Sequence, residues 1–452
     1  MPTTTHRTRF RQAIVYVRSS LWFVPAVMIL LSALAAGGTA GVDQETDAAL
    51  KRSWPRLFAN DAEGARAMLA AIATSMATIA GVVFSITVVA LQLASTHYTS
   101  RVLRNFMRDR ATQTVLGSFV SVYVYCLIVL RTATGGTVPG VAVFVGVLLA
   151  IIAIGFFIFF IHHISAAIQA SEIIPSITRE TRDAIDRFFP EEVGDDSDEE
   201  DRLADLMPDT VWSSLPALEM GYVERVDGEA LVAFARQHET VVRMECAIGD
   251  FIAPGRPLLS IAMRCAPEEA VVRQANGIFA IATYRTTEQD PPYGMRQLVD
   301  IALKALSPSV NDTTTAVICI EHLSFLLCRC AMRRTPAIHR SDDGQLRVIA
   351  KVVGFERLMA LAFGQILESA ERNSEVLFRL LLALADVARV TGSAGRREVV
   401  RRWVEAVAAT ARTGERTAHF ESLIAGHLAT ARQALVPTAM GAAARPAASP
   451  DA

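Results

Sequence analysis

Charge is scarce in this chain: only 20% of its 452 residues are Asp, Glu, Lys or Arg, against 52% hydrophobic residues and a mean hydropathy of +0.32. That balance is too apolar for an ordinary soluble protein of this length and points to a membrane protein. A surplus of positive charge is missing as well, since 44 Lys and Arg face 46 Asp and Glu. Nucleic acid is therefore not an expected partner. The signatures of the common enzyme classes are also absent: there is no nucleophile elbow, Walker-type phosphate loop, paired-histidine zinc motif or G-x-G-x-x-G. An enzyme is not the leading expectation, and neither a cofactor nor a metal is expected.

Four stretches lack Asp, Glu, Lys, Arg and His altogether: Ser20 to Thr39, Met68 to Ala94, Thr112 to Leu130 and Val138 to Ile161. Each is near the ~20 residues that cross a bilayer. The basic residues Arg7, Arg9, Arg11 and Arg18, and then Arg101, Arg104, Arg108 and Arg110, place the segments that carry them on the cytoplasmic side. Both termini are then cytoplasmic, and the expected location is the bacterial inner membrane. A cleaved secretory signal competes for the first stretch, through its basic start and Ala33-Leu34-Ala35. That apolar run is longer than the ~7–15 residues of a signal core, so it is expected to remain as a span. None of the six cysteines falls in the loops expected outside, so no disulfide framework is implied.

The second stretch is too long, reaching about 40 Å at ~1.5 Å per residue against a ~30 Å hydrocarbon core. Ala73, Ala77, Gly81 and Ser85 repeat every four residues along it, and Thr74, Thr78, Ser85 and Gln92 form a polar stripe. Small and hydroxylated residues at this spacing let another helix approach closely, or line a hydrated path through an oligomer. Thr74, Thr78, Gly81, Ser85 and Gln92 are the candidate pore or helix-packing residues. The lack of any titratable group at membrane depth argues against a proton-coupled carrier. After the fourth stretch, His162 and His163 point to different sides of a helix and suit the lipid interface. Beyond them an amphipathic segment carries Ile174, Ile177, Ile185 and Phe188, and Pro175 is expected to bend it.

The expected organisation is a four-span domain over residues 1–164, a connector and acidic linker over 165–206, a small mixed α/β module over 207–290, a mainly helical domain over 291–436 and a disordered tail from 437. Gly221 to Val226, Thr240 to Met244 and Arg256 to Ile261 read as strands, with a short helix at Glu229 to His238. Gln345 to Val353 reads as a further strand. Helical spacing then recurs over Phe355 to Glu371, Ser374 to Val390, Arg396 to Ala411 and Thr417 to Leu435. The fold class is thus an α-helical membrane protein with an α+β cytoplasmic region that ends in a helical bundle. Cys319, His322, Cys328 and Cys330 raise a zinc site, but on one continuous helix the outer two lie about 16 Å apart at ~1.5 Å per residue.

The most distinctive phrase runs from Arg285 to Asp312, as a polar loop, a helix and a second polar turn. Arg296, Asp300 and Lys304 share one helix face at i, i+4 and i+8, and Asn311 or Asp312 is placed to cap the next helix. Arg285, Gln289, Asp290, Arg296, Gln297, Asp300, Lys304, Asn311 and Asp312 are the candidate ligand-binding or interface residues. Three phrases together, Ala80 to Ser95, the Gly249-Asp250 turn and Arg285 to Asp312, resemble the bacterial membrane-protein family called domain of unknown function 2254, from the first span to about Val390. The resemblance implies an integral membrane protein with a cytoplasmic domain, and no substrate. Membrane lipid and further copies of the chain are the expected partners, and a cytoplasmic ligand or partner stays unspecified. The functional expectation is a homo-oligomeric channel or transport-like protein gated by its cytoplasmic domain. A non-conducting membrane-anchored sensor or scaffold is the alternative.

Overall fold

The computed structural model describes residues 22–41, 62–97, 109–132, 139–167, 169–189, 210–263, 267–333, 339–342, 345–413 and 417–436. The acidic linker and the tail expected from residue 437 lie outside them, as do Arg101, Arg104 and Arg108. The chain divides into two compact units, residues 1–173 and 174–452.

Among the described residues, the first unit holds four successive helices, α1 (Phe23–Ala40), α2 (Ala62–His97), α3 (Arg110–Thr132) and α4 (Gly140–Ala167), before a fifth begins at Ala170. Helix α3 is the central one, with α1, α2 and α4 packed round it. Small residues make the close approaches. A Cβ added at Gly117 would meet Met28 Sδ at 2.8 Å and Pro25 Cα at 3.0 Å, and one at Gly146 would meet Leu69 Cδ2 at 3.0 Å. Between these contacts the core is closed by Phe119, Val122, Tyr125, Val129 and Phe160. Two of its polar side chains bond from one helix to another. Ser32 Oγ donates to Ser121 O at 2.5 Å, and Tyr125 OH donates to Ala142 O at 3.0 Å. Backbone groups with no water nearby must be paired, which is why the described residues of the unit are almost wholly helical.

Four described helices are long and apolar enough to cross a membrane: residues 63–93 of α2, α3, residues 140–165 of α4, and a later helix at Thr313–Ala331. Phe23–Thr39 of α1 is apolar and shorter. The Thr313–Ala331 helix qualifies by length and composition, yet it holds Glu321 ion-paired to Arg379 and Arg329 ion-paired to Asp186. Buried apolar residues on one side and ion pairs on the other mark it as a core helix of the second unit.

Helix α5 (Ala170–Phe188) begins after a bend at Gln169 and belongs to the second unit from Ile174. Pro175 lies inside it without ending it. One proline near a helix start forgoes one backbone bond where few exist to lose. The second unit then alternates strands and helices: β1 (Trp212–Pro216), β2 (Gly221–Val226), α6 (Gly228–Gln237), β3 (Val242–Met244), β4 (Phe251–Ile252), β5 (Pro257–Ala262), α7 (Glu269–Asn276) and β6 (Phe279–Ala282). After them come α8 (Pro291–Ala305), α9 (Thr313–Ala331), β7 (His339–Asp342), β8 (Gln345–Ile349), α10 (Phe355–Ser369), α11 (Ser374–Val390), α12 (Ala394–Thr413) and α13 (Ala418–Ala434).

The strands form a sheet in the order β1-β5-β3-β8-β7 and a smaller one in the order β4-β2-β6. All pairings are antiparallel except β3 with β8, where Val242 lies opposite Val348. That parallel pair draws β8 back across two long helices to the first strands. Leu215, Phe234, Val242, Leu259, Ile261 and Val348 close the core beneath this sheet. Side chains cap the helix starts: Asp227, Asp290, Asp312 and Asn373 accept from backbone N–H groups three residues on.

Candidate functional site

The stripe on α2 turns away from the core of the first unit. Thr74, Thr78, Gly81, Ser85 and Gln92 are all exposed, while Leu69, Met76, Val83, Thr87 and Ala90 on the opposite side are buried. At ~3.6 residues per turn the five exposed positions fall within about 40° of Thr74, a spread narrow enough to make one face. Ala73 does not belong to that face: it is buried, whereas Ala77 is exposed. A strict four-residue repeat drifts by about 40° per step, so its first member turns inward while Gly81 and Ser85 stay out. Nothing lies within 4 Å of a Cβ placed at Gly81. Thr74 Oγ1 donates to Ala70 O at 3.0 Å and Thr78 Oγ1 to Thr74 O at 2.9 Å, so both hydroxyls are satisfied by their own helix. The outer faces of α1 and α4 are different in kind, presenting Leu30, Leu31 and Leu34, and Ile151, Ile154 and Ile158.

The Arg285 to Asp312 phrase is drawn out along α8 rather than folded round one point. Arg285, Gln289 and Asp290 stand at the start of α8. Asn311 and Asp312 stand beyond its end, about 20 Å away for a 15-residue helix. Arg296, Gln297, Asp300 and Lys304 lie between. At the first end, Arg285 Nε and Nη2 donate to Asp290 Oδ2 and Oδ1 at 2.8 and 2.9 Å. Asp290, only 3% exposed, also accepts Tyr293 N at 3.1 Å, and the guanidinium lies 5.1 Å from the Tyr293 ring centroid. Burial pushes the Asp290 carboxyl up, against the pull of Arg285. Gln289 Oε1 accepts Val226 N at 3.2 Å, tying this loop to β2.

The Gly249-Asp250 turn backs onto the same ion pair. Gly249 has φ +88°, and a Cβ there would collide with Asp290 Oδ2 and Arg285 Nη2. Two phrases that are separate in sequence are therefore one construction. Further along, Arg296 Nε donates to Asp300 Oδ1 at 2.8 Å, the first rung of the expected ladder. Gln297 is 2% exposed and Lys304 half-buried. Asp312 caps α9 through Thr315 N at 3.0 Å and Thr315 Oγ1 at 2.6 Å, and these bonds hold its carboxyl below the usual range. Asn311 takes the left-handed conformation, φ +50°, in the turn before it.

What this phrase does receive is α5, and the residues of α5 that matter were not apparent from the sequence. Thr181 is fully buried and packs directly on Gly294, where no Cβ fits. Thr178 Oγ1 lies 2.8 Å from His322 Nδ1 on α9, and Thr287 Oγ1 donates to Glu180 Oε2 at 3.3 Å. Near its end Asp186 takes both arms of Arg329, at 2.6 and 2.8 Å, while Arg333 Nη1 donates to Phe189 O at 2.7 Å. Arg329 holds the Asp186 carboxyl below its ordinary value. The signal available in the sequence was Thr178 and Thr181 interrupting the apolar stripe of Ile174, Ile177 and Ile185. Cys319, His322, Cys328 and Cys330 lie along one continuous helix, and burial pushes the Cys328 thiol up to about 11 and Cys330 up to about 12. Among the described residues no three His, Cys, Asp or Glu side chains converge as a metal site.

Comparison with known proteins agrees with the architecture. The model of the predicted membrane protein family, domain of unknown function 2254, matches residues 18–386. Uncharacterized proteins of Mycobacterium tuberculosis, strains CDC 1551 / Oshkosh and H37Rv, and of Mycobacterium bovis are each 30% identical over 421 residues, spanning 88% of this chain and 77% of the relative. No solved structure matches. The chain belongs to this membrane-protein family.

Proposed function

With membership of that membrane-protein family as the premise, we propose that the protein is a homo-oligomeric conduit. In this reading the outward faces of α2 from several copies meet, and the second unit sits in the cytoplasm and governs them. The carrying observation is the contrast in outer faces: Thr74, Thr78, Gly81, Ser85 and Gln92 on α2 against leucine and isoleucine on α1 and α4. A lipid-facing helix is solvated best by bulky apolar side chains, whereas a small and hydroxylated face favours another helix or water. The arginines before α3 set the inner-membrane orientation with both termini inside. The seat that α8 and α9 provide for α5 gives the cytoplasmic unit a firm grip on the chain two residues after α4.

The second reading is a non-conducting anchored scaffold. It is favoured by the hydroxyls of Thr74 and Thr78, which are already bonded to their own backbone and so suit a dry packed seam. Oligomeric mass in nanodiscs and ion flux from liposomes, measured on one preparation, separate the two. The conduit requires an oligomer that conducts, with flux changed by Ser85→Val, and loss of the oligomer on Gly81→Leu. A silent oligomer that dissociates on Gly81→Leu establishes the scaffold instead. A wild-type monomer removes both.

A further inference from the structure

We propose that His163 and Asp109 form a proton-sensitive latch that fastens the last turns of α4 to the start of α3. Their contact spans 54 positions of sequence, with His163 Nε2 2.7 Å from Asp109 Oδ2. Both partners are held in place. The Asp109 carboxylate also accepts Ala111 N and Thr112 N, each at 3.1 Å, and Thr112 Oγ1 at 2.6 Å, so the first turn of α3 fixes its orientation. The imidazole lies flat on Phe159, with centroids 5.5 Å apart and planes 14° apart.

The chemistry of the pair sets the sign. Burial raises the Asp109 carboxyl, but the bonds from Thr112 and His163 outweigh it and hold it below its ordinary value, so it stays ionised near neutrality. Imidazole is the side chain whose charge changes between about pH 5 and 8. When protonated it makes a charge-assisted bond to Asp109, and it sits in the last turns of α4, where the helix carbonyls also favour a cation. When neutral it keeps an ordinary hydrogen bond. The latch therefore tightens as pH falls and slackens as pH rises.

Among the described residues, the other charged or titratable groups at this corner are Arg110, exposed at the first position of α3, and His162, exposed beside His163. The other helices packed on α4 contribute little. Helix α1 has no charged or titratable side chain from Phe23 to Thr39. Helix α2 has none from Met68 to Leu93, with Glu63 and Arg66 at its start and His97 as its last residue. The position gives the latch its consequence. Helix α4 ends at Ala167 and α5 begins at Ala170, so the latch fastens the last turns of α4 just before the chain leaves it.

The test is hydrogen–deuterium exchange on the full chain in nanodiscs of neutral lipid at about pH 5.5 and pH 8, corrected for intrinsic exchange. The expected result for the wild type is exchange about fivefold faster at the higher pH across residues 160–167, the fold-change that the free-energy difference between a charge-assisted and an ordinary hydrogen bond implies. His163→Gln keeps a neutral donor and removes the pH step. Asp109→Asn exchanges fast at both pH values, and should that variant misfold, the His163→Gln comparison decides alone. The same pH step in wild type and His163→Gln, or no step in the wild type, overturns the latch. Exchange is read on the folded protein, so the outcome does not depend on conduction.

Discussion

Replacing Gly294 by alanine isolates the seat of α5. By backbone propensity the change should stabilise α8 by about 0.5–1 kcal/mol, because glycine loses more freedom on folding than alanine. Packing acts in the opposite direction. A Cβ at Gly294 falls on Thr181 Oγ1, with Thr181 Cβ at 2.9 Å and Cγ2 at 3.1 Å. Thr181 cannot swing aside freely, since it is fully buried and its hydroxyl donates to Ile177 O at 2.7 Å. Overpacking of this kind costs about 1–3 kcal/mol, so packing outweighs propensity and a net loss of about 1–2 kcal/mol is expected. Thr181→Ala removes the two atoms that can give most, and the double variant should recover at least half of the loss. That recovery is the coupling between neighbours that a double-mutant cycle reads. Urea titration of the purified protein, followed by tryptophan emission, supplies the midpoints. A Gly294→Ala protein as stable as the wild type, or a double variant no better than Gly294→Ala, would refute the packing argument.

Three further changes probe the same construction. Gly249→Ala combines a backbone at φ +88° with a Cβ driven into the Arg285–Asp290 pair, and should cost about 2–4 kcal/mol in the same titration. Arg396, 3% exposed, donates through Nη1 to the carbonyls of Cys330, Ala331 and Arg333 at 3.0, 3.2 and 2.7 Å. Arg396→Met leaves the end of α9 unmet, and a loss of about 2–4 kcal/mol is expected from the denaturation midpoint. The Asp186 carboxyl is held below its ordinary 3.8 by Arg329, so its stabilisation is present above that value and is lost as pH falls through the lowered one. Limited proteolysis near α5 in acid should therefore accelerate below about pH 4 in the wild type, while Asp186→Asn should be cleaved readily at neutral pH and show no such step.

The membrane helices were legible because hydrophobic runs without charge have few alternatives. Helix α11 matches its expected range, Ser374 to Val390, for a related reason: Leu377, Leu380, Leu381 and Leu384 recur at the helical period. The strand at Gly221 to Val226 is equally direct. Shorter pieces such as β4, which has two residues, and β1 carry too little pattern to be read alone. The larger failure concerns proximity. Arg285 to Asp312 looks like one cluster because it is contiguous, but α8 separates its two ends. Gly249 and Asp290 look unrelated and are in contact. Asp109 with His163, and Asp186 with Arg329, depend on helices meeting across 54 and 143 positions, and nothing local in the chain records such a meeting. The expectation that His163 suits the lipid interface gave no hint of Asp109 as its partner.

The proposal of contact between copies rests on the face that α2 turns outward. Hydroxyl groups by themselves are tolerated in a bilayer, since Thr74 and Thr78 bond to the preceding turn. Three further features bear on that proposal. The primary amide of Gln92 has more donors and acceptors than one helix backbone satisfies. Gly81 leaves open space in the middle of the strip, as Gly37 and Gly38 do on α1 and Gly155 does on α4. Of the bulky exposed side chains of α2, Met68, Val82, Val89 and Leu93 lie on one flank of the stripe and Phe84 on the other, while Val88 lies at its edge, about 40° from Thr74. Large residues bordering a small polar strip are what two surfaces need when one is wetted by lipid and the other is met by a helix. The strip also runs past the turns where α2 and α3 are locked together through Met76, Val83 and Phe119, so its direction is fixed by the core of the protomer. A copy meeting that strip would therefore be held by a rigid surface.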